Sequence, residues 1–340
     1  MKTIAIKELQ KIPYLKLDDL RGRTVKLMPF WDGERWHLWF ALPEGLVEGQ
    51  IIDTLEGDYV AASPARSTDL LIPFVELMWQ RASWPEVCPL ISAIIADFHN
   101  MGTSVAKLHH FFNSRLTLLP GAARRFACTE LEYLVILART VFDLLQETIS
   151  LLWKNRRVRL LDEDSEKRRR QRTLPETFSR ILLRDKKVLR SAAEIEHDFA
   201  LPLTLAEEYA RQGPFFAEVR ESRDKVVHAG SELGLIFDTE RGFCVNPKSR
   251  PFNYYSGWNV GHYYNENLVS LLPWVGYLVL QTIDACNRLM AAFCSIIQMP
   301  PELAPGLHVF VRGPCNDALL EALNLEGGSS PWWGDAVPES

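Results

Sequence analysis

Several short patterns that would announce a chemistry are missing from this 340-residue chain. Its six cysteines, at positions 88, 128, 244, 286, 294 and 315, never form a Cys-x-x-Cys pair. That excludes a zinc ribbon and a dithiol redox site, and leaves incidental thiols of a reducing compartment. No Gly-x-Gly-x-x-Gly or Walker loop occurs, so no phosphate-cradling turn of a nucleotide-binding α/β unit is written here. No repeat of solenoid length is visible. A clean apolar run of about 20 residues is lacking too. The stretch that comes nearest, 267–283, contains Pro273 and is followed by Asp284 and Arg288, which reads as a buried core helix. The first turns carry Lys2, Lys7, Glu8 and Lys11 and no signal-peptide core, so a cytoplasmic protein is expected, with no membrane partner. Excess positive charge is also lacking. With 38 basic and 43 acidic residues the net charge is −5, which excludes a protein that coats nucleic acid through bulk charge.

What is present is an ordinary globular composition, 47% hydrophobic and 24% charged. Residues 1–69 read as a small β region. Segments 23–29 and 35–42 flank a hairpin signal at Asp32-Gly33, and 50–55 and 58–62 follow, for three or four short antiparallel strands. From Leu70 the period becomes helical. Helices are predicted over 70–84, 89–113, 130–153, 175–183 and 203–211, another opening at Pro214 and closing at Gly230, and a last one over 267–299. Residues 234–247 form a hairpin insertion around Thr239–Gly242, and 301–340 are a Pro-, Gly- and Ser-rich tail. The expected fold class is therefore mainly α: an antiparallel helical bundle over 70–300 with a small N-terminal hairpin or meander as an appendage.

Charge is uneven along the chain. Residues 154–172 hold nine basic and four acidic side chains. A solvated loop accounts for this; so does a patch for a phosphate backbone, because the basic residues gather at the two ends. Other chemistry-bearing residues are weaker. His99 and His110 share a helix face with no carboxylates to complete a metal site, Ser104 and Ser222 lack a nucleophile elbow, and the aromatic run 251–264 suits a loop over the core or base stacking. No metal and no cofactor is expected.

The residues that converge lie in Pro214–Ala229, PFFAEVRESRDKVVHA. At ~100° per residue from Phe215, Arg223 falls at about 80°, within a stripe formed by Phe215, Phe216, Val219, Val226 and Val227. A guanidinium stays charged at any ordinary pH, so this setting demands a partner. Asp224 and His228, four residues apart, share the adjoining face, where the carboxylate can orient the imidazole. Arg223-Asp224-Lys225-Val226-Val227-His228 is an Arg-x4-His motif, and it resembles the signature of HEPN domains. Many members of that α-helical superfamily are metal-independent ribonucleases.

The resemblance covers 70–299 in architecture and the short motif alone in specific residues. It implies a bundle of HEPN type and a homodimer whose motif helices meet across a two-fold axis. It implies cleavage of RNA through its own 2′-hydroxyl. Arg223 would brace phosphoryl charge, His228 would move protons and Asp224 would orient the ring. Arg168, Arg169, Arg170, Arg220 and Lys225 are the expected RNA contacts. A toxin-like role with an antitoxin partner fits the same reading. The alternative is a non-catalytic dimerisation scaffold or a nucleotide-binding protein, in which Arg223 serves a buried carboxylate and His228 caps its helix.

Overall fold

A computed structural model describes residues 6–155, 157–185, 188–226, 235–324 and 330–335. The first strands follow the alternation of the sequence. β1 (Phe30–Trp31) turns at Asp32-Gly33 into β2 (Trp36–Leu42), which buries Trp36 and Trp39, and β3 (Gly45–Ile51) returns antiparallel to it. Gly33 takes the turn at φ +106°, a backbone that side-chain-bearing residues avoid, while Asp32 Oδ1 accepts the Glu34 and Arg35 N–H groups at 2.8 Å. The short α1 (Ile6–Leu9) sits over β3, where Glu8 accepts the Leu46 N–H at 3.0 Å. β4 (Gly57–Ala61) pairs parallel to β1, and β5 (Leu70–Leu71) lies at the far edge.

The helices are α2 (Pro73–Arg81), α3 (Cys88–Asn113), α4 (Ala122–Lys154), α5 (Glu163–Arg169), α6 (Phe178–Leu182), α7 (Ala192–Phe199), α8 (Leu203–Asp224), α9 (Leu272–Ile296) and α10 (Asn316–Leu323). Between them run β6 (Leu183–Arg184), β7 (Val188–Leu189), β8 (Phe237–Asp238), β9 (Phe243–Val245), β10 (Tyr263–Asn265), β11 (Leu268–Ser270) and β12 (His308–Arg312). α4 is the axle. Its 33 residues extend about 50 Å and touch α3, α8 and α9, with Leu131, Leu134, Val135, Ala138, Val141, Phe142, Leu145, Ile149 and Leu152 all buried. Among the described residues no helix is long and apolar enough to cross a membrane.

The expected bundle with a β appendage is overturned. Helix makes up 51% of the structure and strand 14%, so mainly α is the part that agrees. The strands, however, build a six-stranded mixed sheet of order β3-β2-β1-β4-β12-β5, a four-stranded sheet of order β10-β11-β9-β8 and the β6-β7 pair. β12 comes from the supposed tail and lies between β4 and β5, Phe310 facing both Tyr59 and Leu71. α10 then packs on α3 and α9. Met28, Val60, Val309 and Val311 belong to the same apolar core as the helices, so the sheet is a wall of the core. The hairpin at 239–242 forms as expected, with Phe237 opposite Cys244, and two further strands extend it.

The helix expected to open at Pro214 is also corrected. α8 runs unbroken from Leu203 to Asp224 with Pro214 inside it. Proline removes one backbone donor and strains the turn before it. Burial of Tyr209, Gln212, Phe215 and Phe216 on either side holds the helix through that point. Gly213 leaves room for a neighbour: a Cβ there would stand 3.1 Å from Leu189 of β7. Pro273 likewise sits at the start of α9, where its missing N–H costs nothing, rather than inside a helix from 267.

Candidate functional site

The apolar residues of α8 are spent inside this chain. Phe216 packs on Phe142 and Phe178 at ring distances of 5.4 and 5.0 Å, and Phe215 meets Tyr277 edge-on at 5.6 Å. That corrects the picture of Arg223 embedded in a free apolar face. The arginine lies one turn past Val219, the last buried apolar residue of α8, its side chain 37% exposed, and Nη1 reaches Asp224 Oδ1 at 3.3 Å. Asp224 is more open still, at 44%, and receives Arg220 Nε on its other oxygen at 3.8 Å. Among the described residues no buried carboxylate holds Arg223.

Around this tip the charges are mostly cationic. Lys225 Nζ reaches Glu221 Oε1 at 3.4 Å, Arg250 bonds the same carboxylate, and Tyr254 donates its hydroxyl to Glu221 Oε2 at 2.5 Å. The Tyr254 bond, with Lys225 and Arg250 nearby, keeps the Glu221 carboxyl below its ordinary range. Arg220, Arg223, Lys225 and Arg250 thus face two carboxylates. Cations also suit the negative end of a helix dipole, and the last turn widens into a π turn at 225–226. One turn earlier, Glu218 accepts the Tyr277 hydroxyl at 3.3 Å, and burial pushes its carboxyl up to about 7. His228, the third residue of the motif, lies outside the described residues, as do Val227 and Gly230.

The basic segment 154–172 is not a loop throughout. Asp162 caps α5 by accepting the Ser165 N–H at 2.7 Å, and three acidic residues fill the first turn of that helix. Arg169, expected on RNA, is a brace instead. Its side chain is 6% exposed and donates to both oxygens of Glu166 at 2.8 Å, to the Val158 carbonyl at 2.9 Å and to the Trp153 carbonyl. A guanidinium taken out of water needs such saturation. In return Arg169 holds the Glu166 carboxyl down at about 2. Arg170 stays exposed and spans to Glu166 at 2.9 Å, and Arg168 donates to Ser165 Oγ at 3.0 Å.

Of the more available members of this segment only Arg170 is among the expected contacts. Lys154, Arg159, Arg170 and Arg172, with Thr173, surround an open cavity of about 610 Å³ over Trp153 and the buried Arg169. Arg159 is exposed and its side chain has no partner among the described residues, whereas Arg172 is tied to the carbonyls of His197 and Asp198 at 3.0 and 2.6 Å. A polar cavity lined by cations and no carboxylate is a seat for phosphate oxygens. The only sequence signal was the clustering of charge at the ends of the segment, which does not say which arginine folds inward.

The aromatic run 251–264 covers the core. Phe252 is buried against Trp274 at 5.1 Å, and Tyr255 packs on Trp258 and Tyr277 at 4.7 and 5.1 Å. His99 and His110 stand in α3, and among the described residues no three His, Cys, Asp or Glu side chains are grouped as metal ligands would be. None of the six cysteines is in a disulfide. No protein-family model, curated protein or solved structure significantly matches this chain.

Proposed function

We propose that this chain is a metal-independent endoribonuclease, as its resemblance to HEPN proteins implies, with the tip of α8 as its reaction centre. The observation that supports this reading is the state of Arg223. It is partly exposed, in a cationic setting, and paired with the still more open Asp224 rather than, among the described residues, with a buried carboxylate. Such a guanidinium can exchange its carboxylate for a phosphate at little cost.

In the proposed reaction the 2′-oxygen of RNA attacks the adjacent phosphorus, and the bond from phosphorus to the 5′-oxygen breaks. His228 takes the 2′-hydroxyl proton, and the leaving 5′-oxygen gains a proton. The products are a 2′,3′-cyclic phosphate and a 5′-hydroxyl. Arg223 braces the charge that develops on the phosphoryl oxygens. Asp224 orients the histidine, and Arg220 and Lys225 attract the backbone. Because the apolar face of α8 is buried within the chain, a homodimeric centre would have to join two copies through the polar tip.

A phosphate-binding role without cleavage is favoured by a separate observation, the basic cavity beside Arg159. The two readings part on one assay. Purified protein incubated with total RNA in EDTA should yield fragments with 5′-hydroxyl ends; His228→Ala should abolish them and Arg223→Ala should reduce them about 10²–10³-fold. Activity lost in chelator and restored by Mg²⁺, or cleavage undiminished in His228→Ala, refutes the mechanism. RNA retention without cleavage favours the binding role.

A further inference from the structure

A second cavity of about 470 Å³ lies between the six-stranded sheet and the starts of α2 and α3, and no residue of α8 lines it. Its walls are apolar: Met28 beside the sheet, Val75 and Met78 from α2, Ile91 and Ile95 from α3, Val309 from β12. Its dimensions and mainly apolar lining are those of small-molecule sites.

Polar side chains also line it: Thr24, Lys26, Asp58, Trp79, Ser83 and Ser92. Asp58 on β4 has its side chain 5% exposed, and its Oδ2 accepts Lys26 Nζ at 2.8 Å. Its Oδ1 is buried with no partner among the described residues, as are Trp79 Nε1 and Ser83 Oγ. All three residues are more than nine-tenths buried. Leaving a buried donor or acceptor unpaired is costly, and three such atoms on one cavity point to something absent. They are an acceptor, a donor, and a hydroxyl that can be either. Lys26 already neutralises Asp58, so a charged head would enter without a counter-charge and lose its hydration. A head that donates and accepts while carrying no charge satisfies all three.

We propose that this cavity binds a small uncharged amphiphile, an apolar chain or ring carrying a hydroxyl head. The apolar body fills the space against Met78 and Ile95, and the hydroxyl reaches towards Asp58, Ser83 and Trp79. The assignment is independent of the reaction at α8.

Calorimetric titration of the full chain with 1-octanol, octanoate and octylamine, equal in tail and different in head, tests it. Octanol should bind one per chain and at least about tenfold tighter than either charged analogue, a difference of ~1.4 kcal/mol. Ile95→Trp, which plugs the space, should abolish binding, and Ser83→Ala should weaken octanol several-fold. Equal affinity for the three heads, a preference for octanoate or octylamine, or saturation at many molecules per chain overturns the proposal. So does octanol binding that survives the plug. Should Ile95→Trp fail to fold, Ser83→Ala decides: unchanged octanol affinity in that variant refutes the site.

Discussion

Arg312 and Arg223 carry the same group in opposite circumstances. On β12, Arg312 is 3% exposed and fully engaged: Asp69 at 2.7 Å, Asp53 at 2.8 Å, the Thr54 carbonyl at 3.1 Å, and the faces of Trp36 and Tyr59 at 5.0 and 5.1 Å. Tyr59 closes the circuit by donating to Asp69 at 2.6 Å. Burial alone would raise the Asp69 carboxyl, but the bonds from Arg312 and Tyr59 outweigh it and leave it lowered. At the α8 tip, Arg223 has one open partner among the described residues, Asp224. Burial with saturated donors marks a strut of the sheet. Exposure with a replaceable partner marks a group that can meet a ligand. Arg169 and Arg159 repeat the contrast within a few residues of chain.

The largest effect should come from breaking the strut. Arg312→Met leaves the buried Asp69 charged without its counter-ion, which should cost about 3–5 kcal/mol in urea unfolding. A loss under about 1 kcal/mol would put Arg312 in the same class as Arg223. Arg223→Ala should show the reverse profile. Its cleavage rate should fall about 10²–10³-fold, as on removal of a charge-stabilising donor, while stability changes by less than about 1 kcal/mol. A collapse of folding in that variant would erase the distinction.

A third measurement uses pH. Glu218 in the folded chain binds its proton up to about 7, against an ordinary value of 4.5. Between those values the folded state holds more protons than the unfolded, so stability should fall as pH rises through that window. Glu218→Gln should remove this slope and gain about 1–2 kcal/mol at pH 8, after allowance for partial exposure. A slope that survives in the variant assigns it to another group. The smallest change concerns the basic cavity. Arg159→Ala should reduce the salt slope of RNA binding by about 1 and leave the melting temperature nearly unchanged, whereas Arg169→Ala should destabilise the fold.

Local features of this molecule are legible in its residues, and long-range ones are not. The stripe on α4, the turn at Asp32-Gly33 and the hairpin at Thr239–Gly242 depend on neighbours within a few positions, and each stands where its pattern places it. Strand β12 has the pattern HVFVR, but its partners β4 and β5 lie far earlier in the chain, and no local signal states that pairing. The dipeptide Gly213-Pro214 reads as a helix break because propensity favours one; core packing on both sides overrides it. At the candidate site, angular position places Arg223 on the core face. The fully buried apolar residues of α8 end at Val219, and Val226 packs only partly buried on the core, so the face around Arg223 is half open; how far a core extends is a property of the assembled chain.

The position of β12 also sets an order in time. β4 ends at Ala61 and its neighbour begins at His308, so a ribosome adding about 5–20 residues per second completes the intervening chain in roughly 12–50 s. Throughout that interval the edge of β4 that will receive β12 has no strand to bond, an invitation to association with other nascent chains. The final sheet, the Arg312 strut and the amphiphile cavity wall all wait on the same late strand. Growing cells should therefore hold this protein's N-terminal half in the care of chaperones until synthesis has passed residue 312.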